Sequence, residues 1–534
     1  MKKLPIGIQT IEEIINEGYT YVDKTSLIFS LITEGKYYFL SRPRRFGKSL
    51  LISTLKAIFS GKKELFKDCH IYSTDYRWHE HPIIHLDFTQ ILTKTPQELK
   101  DSLQRALEEI AKSYRKSIEF PSLQEGFGAL IKQLSEGGKV VILVDEYDKP
   151  IIDNLHQIEV AEANRDVLKD VFGILKGLDS YLKFVFITGV SKFSQVSLFS
   201  GFNNLKDITI HPNYATLLGY TEEEIRQLFD DRIQKISQES NENGMTTNEQ
   251  IIEGMREWYN GYRFSWGRPA VYNPHSTLNF LDTGRLEGFW FQTGTPTFLI
   301  EQIKKLPQSV ISLSGSMAEK DELLDICNPR LISLKALMWQ TGYLTIQKYN
   351  ARTGLYQLDF PNKEVRNAFF GSLLKEFSGP ESFNASFFAS ACRKDLDKHH
   401  FISFFQTINM FFANIPYSLF SKENEGFYHA IFISLLESMG IKVHAEQKTN
   451  IGRIDLVVEL ENIIYIFEFK LDKGAKIALE QIEEKKYKEK YSKKGKEIAL
   501  VGANFSSKTC NISEWKAIIY SSEGKIKENL QSSE

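Results

Sequence analysis

The residues best suited to chemistry near the N-terminus lie in a basic loop that leads into a helical pattern. The stretch KYYFLSRPRRFGKS at 36–49 runs from an apolar segment through arginines to Gly47, Lys48 and Ser49. At the start of a helix, free backbone N–H groups attract an anion, Lys48 adds a positive charge, and the Ser49 hydroxyl can bind Mg²⁺. These residues predict a phosphate-binding loop. The regular spacing G-x-x-x-x-G-K-[ST] would place glycine where this chain has Arg42, so the residues alone leave an ordinary basic loop open.

Two adjacent carboxylates further along the chain could complete that site. KVVILVDEYDK at 139–149 is an aliphatic run that ends in Asp145 and Glu146. A buried parallel strand delivers acids to the carboxyl edge of its sheet in this way. We expect Asp145 to hold Mg²⁺ through its water shell and Glu146 to polarise the water that attacks the γ-phosphate of a nucleotide. A solvated acidic turn after a buried strand is the alternative.

A third group of charged residues lies within two apolar segments near the C-terminus. GRIDLVVEL at 452–460 and IYIFEFKL at 464–471 predict a hairpin around a tight turn. Glu468 and Lys470 are two residues apart, so both side chains leave one face of their strand, where Asp455 of the neighbouring strand can meet Glu468. Two carboxylates that share Mg²⁺ beside a lysine suit phosphodiester hydrolysis, with these three residues as the catalytic set. An edge hairpin with exposed charges is the alternative.

Three stretches of the sequence carry a family resemblance: RPRRFGKS, VVILVDEYDKP and FVFITGVSKFSQVSLFSGFNNLKDIT. They resemble the AAA-ATPase-like family of bacterial P-loop proteins, which carry a PD-(D/E)xK nuclease-like domain at the C-terminus. In that family an arginine-rich loop replaces the usual glycine-rich one. The resemblance implies that ATP and Mg²⁺ bind here, with Ser49 and Asp145 on the metal, Glu146 opposite and Thr188 near the γ-phosphate. The loop contacts that we expect with ATP are Arg44, Arg45, Phe46, Gly47, Lys48, Ser49 and Leu50.

The C-terminal residues are similar in the same way to the PD-(D/E)xK nuclease core. Asp455 and Glu468 match its metal-binding acids, and Lys470 matches its lysine. The resemblance also implies a further acid on the preceding helix and a glutamine and a tyrosine on the following helix. In this chain those residues are Glu425, Gln481 and Tyr487.

The elements that must position these residues predict an α/β protein. Strand and helix patterns alternate through residue 210, which favours a doubly wound parallel sheet with its ligand at the carboxyl edge. The middle is helical, with a turn-rich aromatic segment at 256–281 whose role the sequence does not indicate. A helix and hairpin after it resemble a winged helix, which could bind DNA or serve only for packing. We predict four domains. Residues 1–212 form a P-loop AAA-ATPase-like domain, and residues 213–324 form a helical lid region. Residues 325–420 form a winged-helix-like and helical spacer, and residues 421–534 form a restriction-endonuclease-like nuclease domain.

The composition and charge limit where nucleic acid could bind and predict the compartment of the protein. Of 534 residues, 42% are hydrophobic, and 66 basic residues against 68 acidic ones leave a net charge of −2. Any surface for nucleic acid must therefore be local, and seven lysines between Lys485 and Lys496 offer one, unless they form a solvated helix face. Four dispersed cysteines, no signal-like N-terminus and no apolar run of membrane length predict a soluble, cytoplasmic protein without membrane contact.

These observations favour an enzyme in which ATP binding at Lys48 controls a Mg²⁺-dependent nuclease at Asp455, Glu468 and Lys470. The alternative is an ATP-driven switch whose C-terminal domain binds nucleic acid or a protein partner without cutting it, because one fold supports many functions. A third hypothesis, a nucleotide-binding scaffold without turnover, would be supported if Glu146→Gln changed nothing. The sequence does not decide whether the substrate is DNA or RNA. It also leaves open whether the protein forms a homo-oligomer in which a neighbouring copy supplies an arginine to the nucleotide site.

Overall fold

The chain forms two compact units in a computed structural model. The first contains Met1–Gln292 and Met317–Asn362, and the second contains Thr293–Ser316 and Lys363–Glu534. The structure describes residues 1–192, 204–239, 244–290, 313–324, 333–378, 385–415, 425–441, 443–448 and 452–532, together with Leu299, Ile303, Val310 and Phe420. Within these ranges, no helix has the length and apolar character that a membrane crossing requires.

A five-stranded sheet organises the first unit. Its strands are β1 (Tyr37–Ser41), β2 (Ile83–Asp87), β3 (Val140–Asp145), β4 (Leu182–Gly189) and β5 (Lys206–Asp207). They follow the order β2-β3-β4-β1-β5, and every neighbouring pair is parallel. All residues of β1 and β3 are buried, as expected for parallel strands covered on both faces. The predicted parallel sheet is confirmed, and the loops after β1, β3 and β4 leave it at the same edge.

Helices cover this sheet and extend the first unit. They are α1 (Ile11–Asn16), α2 (Thr25–Glu34), α3 (Lys48–Phe59), α4 (Pro96–Ser113), α5 (Leu123–Leu134), α6 (Lys149–Ile152), α7 (Ile158–Gly173), α8 (Glu222–Leu228), α9 (Asp230–Gln238), α10 (Asn248–Tyr259), α11 (Pro274–Thr283), α12 (Lys320–Leu324) and α13 (Leu334–Thr341). Of these, α3 packs against β3 and α4 against β2. The helix that carries Lys48 is thereby fixed to the strand that carries Asp145.

Helical pairs with their own apolar core form the predicted middle region. The pattern T-x-x-E at Thr221 and Glu224 predicts a capping box. It is present at the start of α8, where the Thr221 hydroxyl accepts from the Glu224 backbone N–H. A second capping box, with Thr247 and Gln250, starts α10. These caps satisfy the first N–H groups of helices that share a buried cluster including Ile225, Phe229 and Tyr259. Local sequence signals therefore set the helix boundaries in this region.

A small sheet completes the first unit. The predicted hairpin is confirmed as β7 (Thr345–Asn350) paired antiparallel with β8 (Leu355–Asp359), and β6 (Met317–Ala318) pairs with the outer side of β8. Helix α13 precedes the hairpin, as predicted. The winged-helix assignment itself stays a prediction, because residues 325–332 lie outside the described part of the chain.

A six-stranded mixed sheet organises the second unit. The strands are β9 (Val443–Lys448), β10 (Arg453–Glu459), β11 (Ile463–Leu471), β12 (Glu497–Ser506), β13 (Asn511–Tyr520) and β14 (Ile526–Gln531), in the order β14-β13-β12-β11-β10-β9. Only β11 and β12 pair in parallel among these described strands. The helices of this unit are α14 (Lys363–Ser378), α15 (Ala385–Asp397), α16 (Phe401–Phe412), α17 (Glu425–Ser438) and α18 (Ala475–Glu484). The mixed α/β architecture agrees with the predicted fold class.

The polar tail after Tyr520 corrects one sequence expectation. Its composition predicts a loose segment, but the structure pairs β14 with β13 as the edge of the sheet. The turn between them closes where the Ser521 backbone N–H donates to the Lys525 carbonyl at 2.8 Å, and Gly524 takes a left-handed φ of +83°. Glycine meets that conformation without steric cost, so backbone pairing orders a strand that has few apolar side chains.

Candidate functional site

The basic loop joins β1 to α3 in the arrangement predicted for a phosphate-binding loop. Gly47 precedes the helix with a left-handed φ of +90°, and Lys48 is the first helical residue. The Lys48 side chain is only 6% exposed, and its Nζ donates to the carbonyl oxygens of Arg42 and Pro43 at 3.1 Å each. Burial lowers the pKa of Lys48, while the nearby carboxylates of Glu146 and Asp145 oppose that shift. A buried cation thus lies against the loop, where an anion would be received.

Carboxylates from β3 face the start of α3. The Ser49 hydroxyl donates to Asp145 Oδ2 at 2.6 Å, so the structure brings together the two predicted ligands of the nucleotide metal. Burial raises the pKa of Asp145. Glu146 follows with a left-handed φ of +51°, a conformation that costs a non-glycine residue about 1 kcal/mol and recurs at functional sites. Asp87 pairs in register with Asp145 and is a third carboxylate at this edge, to which the sequence analysis gave no role.

The remaining predicted contacts of the loop divide into those that face outward and those that are used inside the fold. Arg44 is exposed, Leu50 is half-buried, and Arg45 is half-buried with a left-handed φ of +66°. Phe46 is buried, with its ring packed between Tyr262 and Phe264, so it supports the loop from within. Thr188 is buried at the end of β4, where its hydroxyl donates to the Leu40 carbonyl at 2.9 Å. Phe46 and Thr188, which the sequence predicts to contact the nucleotide, therefore contact other parts of the protein instead.

Arg42, which occupies the usual glycine position, holds the base of the loop. Its guanidinium is 1% exposed and donates to the carbonyl oxygens of Ser41, Thr209 and Tyr214 at 2.9, 2.7 and 3.2 Å. It also lies 4.0 Å from the ring centroid of Phe264. Burial lowers the pKa of Arg42 to about 9, so the side chain remains charged at neutral pH. The arginine ties the loop to backbone far along the chain.

We therefore expect Arg42→Ala to destabilise the first unit by about 3 kcal/mol, because three carbonyl oxygens would lose a buried donor. The measurement is urea denaturation followed by tryptophan fluorescence. Arg44→Ala is the matched control, since Arg44 is exposed and its loss should change stability by less than about 0.5 kcal/mol. Equal stability of the two variants would contradict this role for Arg42.

The C-terminal acids meet across the β10–β11 hairpin. Leu456 pairs with Phe467, which makes Asp455 and Glu468 the next facing residues, and Asp455 Oδ2 accepts from the Phe469 backbone N–H at 2.9 Å. Glu468 is 1% exposed, and its Oε1 accepts from Lys470 Nζ at 3.1 Å. Its Oε2 is buried without a hydrogen-bond partner. The predicted triad of Asp455, Glu468 and Lys470 is thus assembled at one place.

A histidine that was not predicted from the sequence lies beside Asp455 of this cluster. His429 and Glu425 both lie on α17, and their ligand atoms and that of Asp455 are all within 4.8 Å of one another. Burial lowers the pKa of His429 to about 4, so its imidazole is neutral at physiological pH and has a free lone pair. The four-residue spacing from Glu425 places both side chains on one helix face and could have indicated the pair.

A divalent metal fits this donor set. The ligand atoms of Glu425, His429 and Asp455 lie close enough to share one ion. Beside Asp455, Glu468 pairs with Lys470 through Oε1 and keeps a buried Oε2 without a hydrogen-bond partner. Carboxylate oxygens suit Mg²⁺ and Mn²⁺, and an imidazole is compatible with Mn²⁺.

Comparisons with known proteins identify a family for each of the two domains that carry these residues. The family described as Predicted AAA-ATPase matches residues 5–199, and the PD-(D/E)XK nuclease superfamily matches residues 423–515. An uncharacterized protein in the vnfD 5' region of Azotobacter chroococcum mcd 1 is 37% identical over 521 residues, which cover 95% of this chain and 96% of that protein. The chain belongs to this AAA-ATPase-like family and carries a C-terminal domain of the PD-(D/E)XK nuclease superfamily. No solved structure matches it.

The nuclease-superfamily domain also positions the two residues expected after its motif. Gln481 lies on α18 and donates to Glu468 Oε1, the same oxygen that accepts from Lys470 Nζ. Tyr487 corrects an expectation, because it lies beyond the end of α18 in a short 3₁₀ turn, Tyr487–Lys490. Its hydroxyl donates to the Arg453 carbonyl at 2.8 Å, so it supports the start of β10 just before Asp455.

The lysine-rich stretch of this domain consists of 3₁₀ turns, Tyr487–Lys490 and Ser492–Lys494, rather than the helix face considered from the sequence. Lys494 and Lys496 both pair with Glu459, which neutralises part of the patch. Four of the seven lysines are well exposed: Lys486, Lys490, Lys493 and Lys494. Positive charge is therefore present near Tyr487, although less of it than the sequence count suggests.

Glu468 should make the AAA-ATPase-like protein less stable at high pH. Burial, followed by the Asp455 charge, raises the pKa of Glu468 to about 7 from an ordinary 4.5. As pH rises, the Glu468 carboxyl loses its proton at lower pH in the unfolded chain than in the folded one. The free energy of unfolding therefore falls as pH rises from 4.5 to about 7. We expect Glu468→Gln to raise the Tm at pH 8 with EDTA present, and the gain to disappear near pH 4.5. Calorimetry at the two pH values measures this, with the exposed Glu461→Gln as control; equal shifts in both variants would contradict the prediction.

Proposed function

We propose that this protein is a nucleotide-controlled nuclease, in which ATP bound at the Lys48 loop controls Mg²⁺-dependent phosphodiester hydrolysis at Asp455, Glu468 and Lys470. The observation that carries the proposal is Glu468: it is buried opposite a second carboxylate and keeps one oxygen without a hydrogen bond. Burying two neighbouring acids costs several kcal/mol, and a structural hairpin would gain nothing from that cost. Lys470 and Gln481 pair only with Oε1, so a metal ion would compensate the remaining oxygen, Oε2.

Each residue of the nuclease cluster has a distinct part in this proposal. Asp455 and Glu468 would hold the metal, with Glu425 and His429 as further ligands. Bound Mg²⁺ would activate water and offset negative charge that develops on the phosphate. Lys470 lies beside Glu468 and can orient the attacking water or pair with a phosphate oxygen. The Phe469 N–H fixes the rotamer of the Asp455 carboxylate.

The nucleotide half follows the same reasoning. Lys48 would exchange the two loop carbonyl oxygens for the β- and γ-phosphates of ATP. Ser49 and Asp145, whose side chains already contact each other, would hold Mg²⁺. Glu146 would orient the water that attacks the γ-phosphate. Nucleic acid is the proposed substrate of the nuclease half, and the exposed lysines near Tyr487 support contact with its phosphate backbone.

The function is tested with the purified full chain and labelled single- and double-stranded DNA and RNA, in Mg²⁺, with and without ATP. We expect cleavage that requires Mg²⁺ and changes in rate when ATP is added. Loss of the cleaving activity in Asp455→Ala, and of its ATP dependence in Lys48→Ala, would support a single controlled enzyme. ATP hydrolysis without cleavage of any substrate would favour the alternative, a switch that binds nucleic acid or a protein partner without cutting it.

A further inference from the structure

Side chains of the aromatic segment at 256–281, together with Trp290 beyond it, contact the phosphate-binding loop. Four side chains form what we term the loop collar: Tyr262, Phe264, His275 and Trp290. Tyr262 and Phe264 enclose the ring of Phe46, with centroid distances of 4.7 and 5.4 Å. Trp290 Nε1 donates to the Arg44 carbonyl at 3.2 Å. The collar therefore contacts consecutive residues of the loop, all within the first unit.

His275 makes the collar's contact with the side chain of Arg45. Arg45 Nη1 lies 2.6 Å from His275 Nε2 and 3.1 Å from Nδ1. Arginine carries five N–H donors in a planar fork, so a contact through one nitrogen leaves the others able to reach phosphate oxygens. The left-handed backbone of Arg45 fixes where this side chain leaves the loop.

The choice of histidine as the partner has an electrostatic consequence. A carboxylate in the same place would pair with the guanidinium and cancel much of its attraction for phosphate. A neutral imidazole accepts the hydrogen bond and leaves the charge intact. Burial and then the charge of Arg45 lower the pKa of His275 to about 4, so the ring is neutral at physiological pH. A further hydrogen bond to the backbone of Phe289 fixes the ring itself.

We propose that His275 is a positioning residue that holds Arg45 ready to bind a phosphate group of the nucleotide, and that it acts through Arg45 alone. This inference rests on the proposed nucleotide function of the loop. It assigns a role to a residue 230 positions from Arg45 in sequence and to the aromatic segment that carries it. His275 is the second residue of α11, and Asn279 Nδ2 donates to its carbonyl oxygen at 2.8 Å. The backbone that carries the imidazole is therefore fixed by the helix.

The test measures the affinity of the full chain for a fluorescent ATP analogue in Mg²⁺. We expect His275→Ala to bind it about tenfold more weakly, as for loss of one hydrogen bond to a charged group. His275→Gln, whose amide oxygen can accept the same bond, should stay within about twofold of the native affinity. The double variant Arg45→Ala/His275→Ala should bind no more weakly than Arg45→Ala. His156→Ala is the control, an exposed histidine of the same unit that hydrogen-bonds Gln157.

The outcomes separate this proposal from the proposed function. If the native chain binds no nucleotide, or if Lys48→Ala binds as well as the native chain, the nucleotide function of the loop fails and this inference fails with it. If binding depends on Lys48 but His275→Ala matches the native affinity, only the inference is overturned. An additional loss in the double variant beyond Arg45→Ala would likewise overturn it, because His275 would then act by another route. Circular dichroism of each variant confirms that it is folded.

Discussion

Asp455→Asn should reduce metal-dependent phosphodiester cleavage by at least about a hundredfold while leaving ATP hydrolysis unchanged. Asparagine keeps the size of the side chain and can still accept from the Phe469 N–H, so the hairpin should remain folded. It removes one of the two facing charges, and with it the ability to share a metal with Glu468. The measurement is the single-turnover rate on the preferred nucleic acid, at saturating Mg²⁺. Asp397→Asn is the matched control, because Asp397 is an exposed aspartate in the same unit that pairs with Arg393.

Thermal stability gives a second reading of the same variant that does not depend on activity. A ligand that binds only the folded state raises the Tm, by an amount that grows with the logarithm of its concentration relative to its Kd. Mg²⁺ or Mn²⁺ should therefore raise the Tm of the native chain and of Asp397→Asn, but raise that of Asp455→Asn much less. Native cleavage rates in Asp455→Asn, or an undiminished metal effect on its Tm, would place the metal and the chemistry elsewhere.

The sequence predicted best those features that depend on neighbouring residues. The alternation in IYIFEFKL was sufficient to place Glu468 and Lys470 on one face and to bring Asp455 opposite, because strand geometry has a period of two. The capping box at Thr221 was also predicted correctly, because it depends only on residues three positions apart at the start of one helix. His429 was accessible to this kind of reasoning through its spacing from Glu425, and was missed.

Features that depend on contacts between distant segments could not be predicted in this way. The sequence indicated Arg42 only as a replacement for the glycine of the usual loop pattern. In the structure its guanidinium donates to the carbonyl oxygens of Thr209 and Tyr214. The contact between Arg45 and His275 joins segments with no local pattern in common. The strand β14 was missed because pairing to β13 comes from backbone groups, to which side-chain composition is a poor guide. Each of these failures concerns a partner supplied by the fold.

Lys48→Ala and Glu146→Gln should separate nucleotide binding from hydrolysis. Lys48 is a buried cation at the start of α3, and its loss should weaken ATP binding by about a hundredfold, as expected for removal of a desolvated charge partner. Glu146→Gln keeps the shape of the side chain but cannot accept a proton, so ATP should bind normally while hydrolysis falls by about a hundredfold. Lys56→Ala, an exposed lysine in the last turn of the same helix, is the control for both assays.

The Glu146→Gln variant then distinguishes two ways in which ATP could act on the nuclease. Because this variant should hold ATP without turnover, its cleavage rate at saturating ATP reports the effect of binding alone. A rate equal to that of the native chain with ATP would mean that occupancy controls the nuclease; a rate equal to that without ATP would mean that turnover is required. Hydrolysis at the native rate would contradict the role of Glu146 and direct attention to Asp87, which pairs in register with Asp145 at the sheet edge.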